Sequence, residues 1–262
     1  MARIARIKRN DQKMYEVAVI IPCYNEAKGI ADVIKKMPYK RAKRNHWNLH
    51  VYVIDNNSSD NTSEVARQAG ATVIHEPKKG KGNALRTGFA SLPETTDFVV
   101  MLDGDDTYDS GEVLRMIEPL YNEFCSVVIG SRMGGKRTAD SMSFTSFVGN
   151  WFFTNIVRVT HKVPVTDVLT GYFAWTKQAL DELRPHLRSD GFAIEMEMIT
   201  KMARMKYDIY SVPISYTPRA GESNLNPISD GARILRMFAS TLQWRPSGRQ
   251  QARSESRNAE QA

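Results

Sequence analysis

Cysteine is almost absent from this chain of 262 residues, which contains only Cys23 and Cys125. Neither belongs to a C-x-x-C pair, and both fall in or beside apolar segments, so we expect two reduced core residues. The five histidines show neither an H-E-x-x-H motif nor a clustered spacing, which argues against a zinc site. A chain of this length builds a sizeable core without disulfides, and we expect one large α/β domain.

Long apolar runs are also missing. No segment approaches the roughly 18 to 20 consecutive apolar residues that a membrane-spanning helix needs. Residues 1–10 contain arginines where a signal peptide would have its apolar core. These two absences predict a cytoplasmic protein.

Acidic residues are outnumbered by basic ones, 29 to 36, which gives a formal net charge of +7. Basic runs stand in residues 1–13 and 35–44. Such runs are usually solvated faces, but they also suit the anionic headgroups of a cytoplasmic leaflet or the backbone of a nucleic acid. Charge alone does not choose among these interpretations. Because no helix-turn-helix, zinc-finger or RNA-binding aromatic signature is present, we expect no nucleic-acid partner.

Two glycine-rich signatures of phosphate binding are absent. Gly80-Lys81-Gly82 is followed by Leu85 where the dinucleotide-binding motif G-x-G-x-x-G requires glycine. The phosphate loop G-x-x-x-x-G-K-[ST] does not occur. A nucleotide would therefore have to be bound through carboxylates and a metal ion rather than through a glycine-rich anion cradle.

The sequence does contain a regular alternation of strand and helix signals. This implies a mostly parallel sheet with helices on both faces, in a single domain over residues 14–244 between a basic extension (1–13) and a disordered polar tail (245–262). Asn25 is the expected N-cap of the first helix. The predicted strands are 17–21, 49–54, 71–74, 97–102, 125–130 and 207–214, and the predicted helices lie within 25–37, 60–70, 80–92, 144–160, 192–205 and 227–242.

An acidic turn follows the fourth predicted strand, where Asp103, Asp105 and Asp106 fall within four residues. Carboxylates this close repel one another, so the cluster must be exposed, hydrogen-bonded or neutralised by a hard divalent cation. A solvated turn that caps the next helix explains the motif alone equally well. The cation is favoured because Asp55 and residues 22–26 also stand at carboxyl ends of predicted strands, where α/β sheets bind ligands.

Four short motifs occur in order: Ile21–Glu26, Val53–Thr62, Gly80–Ala84 and Asp103–Asp105. Together they resemble a glycosyltransferase of family 2, which implies the GT-A fold of nucleotide-diphospho-sugar transferases over roughly residues 17–236. Later segments are similar to the subgroup that loads sugars onto dolichyl or polyprenyl phosphate, as dolichyl-phosphate mannose synthases do. These segments are Gly130–Arg132, Thr166–Gly171 and Arg219–Ser223.

Three positions depart from that subgroup. Asn56 stands where the subgroup often has a second acidic residue, Thr107 where many mannose synthases have Gln, and Asn224 where many have Lys. The identity of the sugar, and the choice between uridine and guanosine donors, therefore stay open.

Displacing a nucleoside diphosphate from a sugar builds negative charge on the leaving pyrophosphate, which carboxylates can neutralise through a bound Mg²⁺ or Mn²⁺. We expect Asp105, and by resemblance Asp103, to hold this metal ion. The expected residues of the nucleotide-sugar site, most of them implied by the resemblance, are Pro22, Tyr24, Asn25, Glu26, Asp55, Lys81, Gly82, Asp103 and Gly104.

A lipid phosphate is already an anion near pH 7, so it needs positioning rather than a general base. Arg132 and Arg219 offer forked donors for its oxygens. Asp167 could orient the acceptor or an arginine, and Glu195 is a reserve base. Together with Asp105, these residues form the predicted catalytic group.

The rival hypothesis is transfer to a hydroxyl of a saccharide or small molecule, with Glu195 or Asp167 as the base. The family implies inversion at the anomeric carbon.

The segment 144–160 repeats apolar and aromatic residues at helical spacing. It predicts either a core helix or an interfacial helix that lies among lipid headgroups and brings a membrane-embedded phosphate to the site. The second interpretation makes the protein peripheral on the cytoplasmic membrane face, where a membrane-protein partner could also hold it.

Overall fold

The computed structural model describes residues 13–138, 140–219 and 227–246, without the side chains of residues 227 and 228. Residues 1–12 of the predicted basic extension, residues 220–224 and residues 247–262 of the predicted tail lie outside the described residues.

Seven strands form one sheet with the order β3-β2-β1-β4-β6-β5-β7 in the part of the chain that the structure describes. β6 runs antiparallel to β4 and β5, and the other neighbouring pairs are parallel. The predicted mostly parallel sheet is confirmed. The sequence signals do not predict β6, because a buried run of four residues lacks the length and alternation that identify a strand. The strands are β1 Tyr15–Cys23, β2 Trp47–Asp55, β3 Thr72–His75, β4 Phe98–Met101, β5 Val127–Ser131, β6 Phe173–Thr176 and β7 Ile209–Pro213.

The helices cover both faces of the sheet, as the alternation predicts. Three of them, the short α2 and the helices α5 and α7, have no counterpart among the predicted elements. The helices are α1 Ile30–Lys35, α2 Tyr39–Arg44, α3 Thr62–Gln68, α4 Lys81–Ala90, α5 Val113–Tyr121, α6 Phe144–His161, α7 Lys177–Leu183, α8 Ile194–Arg204 and α9 Pro227–Gln243.

The predicted helix 25–37, with Asn25 as its N-cap, is wrong in its start and its length. Asn25 adopts a left-handed conformation with φ of 57°, and its side chain accepts a hydrogen bond from the backbone of Ser59 at 2.8 Å. The helix α1 begins only at Ile30, and Pro38 separates it from α2. The side chain of Asn25 is thus used across two loops instead of at a helix end.

Each face of the sheet packs against its own core. Along β1, Val17, Val19 and Ile21 join the core beneath α1, α3 and α5, while Ala18 and Ile20 join the core beneath α4 and α8. This division follows from the two-residue period of a strand, which sends successive side chains to opposite faces. Because both faces are covered, β4, β5 and β6 and the middle of β1 are almost entirely buried. The carboxyl ends of the strands are left as the polar edge.

The helix α6 is only partly a core helix. Phe153 and Val157 are buried, but other large apolar side chains of this helix are exposed to solvent. Within the described residues, no helix has both the length and the apolar character needed to cross a membrane. The exposed apolar side chains of α6 are Phe144, Val148, Trp151, Phe152 and Val159.

Candidate active site

A cavity of about 380 Å³ lies among the loops that follow β1, β2, β3, β4, β5 and β7. It stands at the carboxyl ends of these strands, where parallel sheets bind their ligands. The predicted site residues that line it are Pro22, Tyr24, Glu26, Lys81, Asp103, Gly104, Asp105, Arg132, Glu195 and Arg219, and the other lining residues are Cys23, Asn56, Lys79, Gly80, Ala84, Tyr108, Leu169, Gly171, Phe192 and Tyr216.

The acidic turn after β4 brings Asp103 and Asp105 to the cavity wall. Oδ1 of Asp105 accepts hydrogen bonds from N and Oγ1 of Thr107 at 3.1 and 2.7 Å. Burial, and then the neighbouring Asp103, raise the pKa of Asp105, although a nearby arginine and Thr107 oppose this effect. Asp106 is not in the cavity, and its carboxylate pairs with Lys36 at 2.6 Å. Two of the three predicted carboxylates therefore face the cavity.

Two glycines allow the close packing around this turn. A Cβ atom on Gly104 would lie 2.5 Å from Sγ of Cys23, and one on Gly171 would lie 2.4 Å from Oδ2 of Asp103. Real side-chain atoms do not approach this closely. The absence of a side chain at Gly171 is therefore what allows the loop before β6 to pass beside Asp103.

Lys81, the first residue of α4, links two carboxylates across the cavity. Its Nζ lies 2.6 Å from Oδ1 of Asp103 and 2.6 Å from Oε1 of Glu195. Burial lowers the pKa of Lys81, but the two carboxylates raise it by more, so the ammonium group stays charged. Burial raises the pKa of Glu195 against the opposing effect of Lys81. Oε2 of Glu195 is buried and has no hydrogen-bond partner among the described residues.

A buried glutamate holds the segment that packs against the start of α4. Glu197 has no exposed surface, and it accepts hydrogen bonds from the backbone N–H groups of Arg188 and Ser189 at 2.8 to 3.0 Å and from Lys201 at 2.5 Å. A Cβ atom on Gly82 would lie 2.0 Å from the carbonyl oxygen of Ser189. Gly82 therefore lies beneath the cavity wall rather than in it, where it permits this contact.

Arg219, beyond β7, bridges two carboxylates from distant parts of the chain. Its Nη2 lies 2.8 Å from Oε1 of Glu26 and 2.9 Å from Oδ2 of Asp105. Burial raises the pKa of Glu26 to about 7, with Arg219 opposing the rise and Asp105 adding to it. Nε of Arg219 is buried and has no hydrogen-bond partner in the described part of the chain.

Arg132 follows β5 and is held in place by a buried carboxylate. Asp167 accepts hydrogen bonds from N, Nε and Nη2 of Arg132 at 2.9, 2.8 and 2.8 Å, and from Nδ2 of Asn150 on α6 at 2.8 Å. Asp167 has no exposed surface and does not line the cavity. This geometry favours the expectation that Asp167 orients an arginine. It does not suit a general base, because a base must come within hydrogen-bonding reach of the substrate.

Asn25 and Asp55, two predicted nucleotide-sugar-binding residues, are also absent from the cavity wall. Oδ1 of Asn25 accepts hydrogen bonds from N and Oγ of Ser59 at 2.8 and 3.3 Å. Asp55 accepts hydrogen bonds from N of Ser58 in the loop after β2, at 3.0 Å, and from Oγ of Ser63 on α3, at 2.6 Å. Burial raises the pKa of Asp55, but these hydrogen bonds lower it by more. Both residues stabilise the loops after β1 and β2, and Asn56 lines the cavity in place of Asp55.

Several lining residues are not predicted from the sequence. Nζ of Lys79 donates to the hydroxyl of Tyr24 at 2.9 Å and lies 4.7 Å from the centre of its ring. Tyr108 and Phe192 each stand three residues from a predicted carboxylate, and this proximity is a signal that could have identified them. Tyr216 belongs to none of the motifs. The pairing of β7 with β5 and its own β-bridges to Tyr108 and Arg137 bring it to the cavity.

The donor atoms of the cavity fit a divalent cation. Among the described residues, no group of three or more His, Cys, Asp or Glu side chains is placed to hold a metal ion. Asp103 and Asp105 nevertheless share one turn, and their mutual repulsion contributes to the raised pKa of Asp105. Mg²⁺ is commonly held by one or two protein carboxylates together with substrate phosphates and water. Asp103 and Asp105 therefore fit Mg²⁺ or Mn²⁺ that is shared with a phosphate-bearing ligand.

Proteins of known sequence are similar to this chain over most of its length. Residues 18–184 match the family described as Glycosyl transferase family 2. Glycosyltransferase AglJ of Haloferax volcanii is 36% identical over 221 residues, which cover 84% of this chain and 69% of AglJ. The dolichyl-phosphate hexose transferase of the same organism is 31% identical over 219 residues, which cover 84% of this chain and 90% of that protein.

Solved structures agree with the architecture of the sheet. Glucosyl-3-phosphoglycerate synthase from Mycobacterium tuberculosis, in complex with Mn²⁺, UDP-glucose and phosphoglyceric acid, superimposes with a TM-score of 0.67. The two chains are 20% identical, and the match covers 89% of this chain and 82% of that one. At this identity the likeness shows the fold alone, which is GT-A. The family match over most of the domain identifies the chain as a glycosyltransferase that belongs to family 2.

Proposed function

We propose that this enzyme transfers a hexosyl residue, with inversion, from a UDP- or GDP-linked donor to a polyprenyl or dolichyl phosphate at the cytoplasmic membrane face. The observation that carries the proposal is a single cavity in which Asp103 and Asp105 stand beside Arg132 and Arg219. Two carboxylates suit a metal-bound diphosphate, and guanidinium groups suit an acceptor phosphate.

Donor binding would use the loops after β1 and β4. Pro22, Tyr24 and Glu26 would surround the base and ribose, with Lys79 fixed against the ring of Tyr24. Mg²⁺ or Mn²⁺ held by Asp103 and Asp105 would neutralise the charge that develops on the leaving diphosphate. Lys81 provides a permanent cation 2.6 Å from Asp103, and so it adds to this stabilisation of the leaving group.

Acceptor binding would use Arg132. Asp167 fixes the plane of its guanidinium group through Nε and Nη2, and among the described residues no acceptor bonds to Nη1. An acceptor phosphate oxygen would attack the anomeric carbon from the side opposite the diphosphate. One carbon–oxygen bond forms as the other breaks, and no proton has to be removed from the acceptor, so positioning by Arg132 replaces a base.

The outer face of α6 supports a lipid acceptor. Phe144, Trp151 and Val159 are 79%, 58% and 77% exposed, and the 18 residues of this helix contain no Asp or Glu. A helix with an exposed apolar and aromatic face and basic neighbours suits the headgroup region of a bilayer.

The start of α6 lies close to the cavity. Arg137 stacks over the ring of Phe147 on α6, with 5.1 Å between its guanidinium carbon and the ring centre. Arg137 also forms a β-bridge with Tyr216, which lines the cavity. A phosphate carried by a lipid under α6 would therefore have a short path to Arg132.

The dolichyl-phosphate hexose transferase of Haloferax volcanii adds support for this acceptor and for a hexosyl donor. The match extends over 84% of this chain and 90% of that protein, so it is longer than the donor-binding loops alone.

Purified protein with Mn²⁺ or Mg²⁺, a panel of UDP- and GDP-hexoses and a polyprenyl phosphate tests the proposal. We expect one donor to give a hexosyl-phospho-polyprenol, detected by mass spectrometry, and we expect a chelator to abolish its formation. Donor consumption that depends on a hydroxyl acceptor, with no glycolipid formed, would overturn the proposal.

Glu195 favours a second candidate function, transfer to a hydroxyl. Its buried carboxylate lines the cavity, has a raised pKa and keeps one oxygen without a partner among the described residues, which are properties of a general base. If a hydroxyl is the acceptor, Glu195→Gln should lower kcat by roughly two to four orders of magnitude. With a lipid phosphate, we expect a loss below about tenfold, because no base is needed. The control is Glu94→Gln, which changes an exposed carboxylate outside the cavity.

A further inference from the structure

A second concavity, of about 960 Å³, lies at the amino ends of the strands, whereas the catalytic cavity lies at their carboxyl ends. It surrounds the amino ends of β5 and β7, whereas Arg132 and Tyr216 stand beyond their carboxyl ends. A strand of five residues spans roughly 16 Å, so the two sites are separate. We call this concavity the basic groove. Its charged and aromatic lining residues are Phe124, His161, Lys162, Arg204, Lys206, Tyr207, Asp208, Tyr210 and Arg245.

Cations predominate in the basic groove. Lys162, Arg204, Lys206 and Arg245 stand against a single carboxylate, Asp208. Within the described part of the chain, Lys162, Lys206 and Arg245 take part in no ion pair. The groove therefore concentrates positive charge that the described residues neutralise only in part, and this favours an anionic ligand.

Two of these cations stand just beyond helix ends. Lys162 directly follows the last residue of α6, and Lys206 stands two residues after the end of α8, where the helix dipole favours positive charge without neutralising it. Nε2 of His161 is buried and lacks a hydrogen-bond partner among the described residues, so the groove also contains an unused polar atom. At its edge, Phe124 and Tyr210 are 65% and 42% exposed, and their rings stand 5.0 Å apart.

The basic groove is continuous with the apolar face of α6. Helical spacing puts Phe144, Val148, Trp151 and Val159 on one stripe of this helix, and Lys162 follows at its carboxyl end. The 18 residues of α6 span roughly 27 Å at about 1.5 Å per residue. One end of the helix is therefore beside the catalytic cavity, and the other is at the groove.

We propose that the basic groove binds the anionic phospholipid headgroups of the bilayer on which α6 lies. This inference rests on the membrane location in the proposed function and extends it from one helix to a second, electrostatic contact. A helix that lies flat in the headgroup region brings both of its ends to the same depth. The catalytic cavity and the basic groove then meet the membrane surface together, and the groove sets the orientation in which the cavity faces the lipid acceptor.

Two features of the basic groove favour lipid over nucleic acid. Its cations are confined to one concavity, whereas a nucleic-acid site usually follows the phosphate backbone as an extended track. It also adjoins a row of exposed apolar side chains on α6, which a bilayer buries and a phosphate backbone does not.

The test is binding of the full chain to phosphatidylcholine vesicles with and without phosphatidylglycerol, measured by co-sedimentation at low and high salt. The groove variant is Lys162→Glu with Lys206→Glu, and a second form with Gln at both positions limits any effect on folding. The control is Lys40→Glu with Lys43→Glu on α2, which makes the same change in net charge on two exposed residues. We expect the groove variant to lose about tenfold or more in affinity for phosphatidylglycerol vesicles, and the control to stay within about twofold.

Three outcomes would overturn the inference. The first is unchanged vesicle binding in both groove variants, and the second is an equal loss of vesicle binding in the groove variant and the control. The third is a groove variant that binds an oligonucleotide less tightly than the wild type does but binds vesicles equally well. Turnover with a short-chain, water-soluble polyprenyl phosphate in the absence of vesicles separates this inference from the proposed function. If the wild-type enzyme forms no glycolipid with that acceptor, the proposed function fails, while the vesicle measurement still decides what the basic groove binds.

Discussion

The N-terminal side of the cavity, which consists of lining residues between 22 and 108, is built differently from its C-terminal side, which consists of those between 132 and 219. Most residues of the N-terminal side stand at the carboxyl ends of β1, β2 and β4 or just after them, and these strands are neighbours in the sheet. The C-terminal side is joined by ion pairs between distant segments, such as Arg132 with Asp167 and Arg219 with Glu26. The residues of the N-terminal side are positioned by the ends of strands, and those of the C-terminal side are positioned by ion pairs between side chains.

If the N-terminal side holds the metal and the donor, Asp105→Asn should have the largest effect. We expect kcat/KM to fall roughly 100- to 1000-fold, because several kcal/mol of charge stabilisation on the leaving diphosphate is lost, and donor affinity in the presence of Mn²⁺ to fall with it. Asp106→Asn is the matched control, since this neighbouring carboxylate pairs with Lys36 outside the cavity. Steady-state kinetics and calorimetry measure both quantities, and an unchanged Asp105→Asn enzyme would refute the metal site.

If the C-terminal side holds the acceptor, Arg132→Lys should weaken acceptor binding and leave donor binding almost unchanged. Lysine keeps the charge opposite Asp167 but loses the forked hydrogen bonds, so we expect KM for the polyprenyl phosphate to rise about 10- to 100-fold. The dissociation constant of the nucleotide sugar should change less than about twofold. Arg137→Lys serves as the control, because Arg137 does not line the cavity. A parallel loss of donor affinity in Arg132→Lys would contradict the division into two sides.

Glu197→Gln tests whether a residue outside the cavity holds Lys81, which lines the cavity, in its position. The amide cannot accept all the hydrogen bonds that Glu197 now receives from Arg188, Ser189 and Lys201, so the segment against α4 should shift and move Lys81. We expect kcat to fall about tenfold, since small displacements of catalytic groups slow the reaction. Donor affinity should change little.

A purely structural role of Glu197 would lower thermal stability without changing kcat at a temperature where the variant is fully folded. Glu197→Asp should recover part of the rate, because it restores a carboxylate. Glu118→Gln, on the exposed side of α5, provides the control for loss of one negative charge.

The smallest expected effect concerns stability and Glu26. Its pKa rises from 4.5 to about 7 on folding, so the folded state binds more protons than the unfolded state within this window, and stability falls as pH rises through it. Glu26→Gln removes that dependence. Thermal melts of the donor-free protein should show the variant gaining about 2–4 °C over the wild type between pH 5 and 8, about 1 kcal/mol in a chain of this size.

The same melts contain the check on this prediction. Glu94→Gln removes an exposed carboxylate outside the cavity and should keep the wild-type pH profile. If Glu26→Gln keeps it as well, burial of Glu26 in the donor-free protein does not determine the pH dependence.

Much of the N-terminal side could be predicted because its residues are adjacent in sequence to strands with strong signals. Pro22, Tyr24, Asp103 and Asp105 follow apolar runs, and parallel strands necessarily bring their carboxyl ends together. The same reasoning did not indicate that the side chains of Asn25 and Asp55 stand outside the cavity wall. Proximity to a strand end does not reveal which side chain turns to the cavity and which forms hydrogen bonds with neighbouring loops and helices.

The C-terminal side could be predicted only in part. Arg132 and Arg219 stand in motifs, and Glu195 was predicted as a reserve base. Their partners come from pairings across the chain that no local pattern specifies. Tyr216 belongs to none of the motifs. Leu169 stands in the segment Thr166–Gly171, but the motif does not indicate that this side chain lines the cavity. The short strand β6 was not predicted either, although it connects β4 to β5 and so joins the two sides of the cavity.

The sequence by itself determined the α/β alternation, the acidic turn and the family, because these depend on periodicity and on short motifs that are local in the chain. Only the tertiary structure decided that Asp167 orients Arg132, that Glu197 supports the segment against α4, and that a second cationic concavity stands at the far end of α6. Contacts between residues far apart in sequence are selected by packing and by pairing of buried charges. No single segment contains that information.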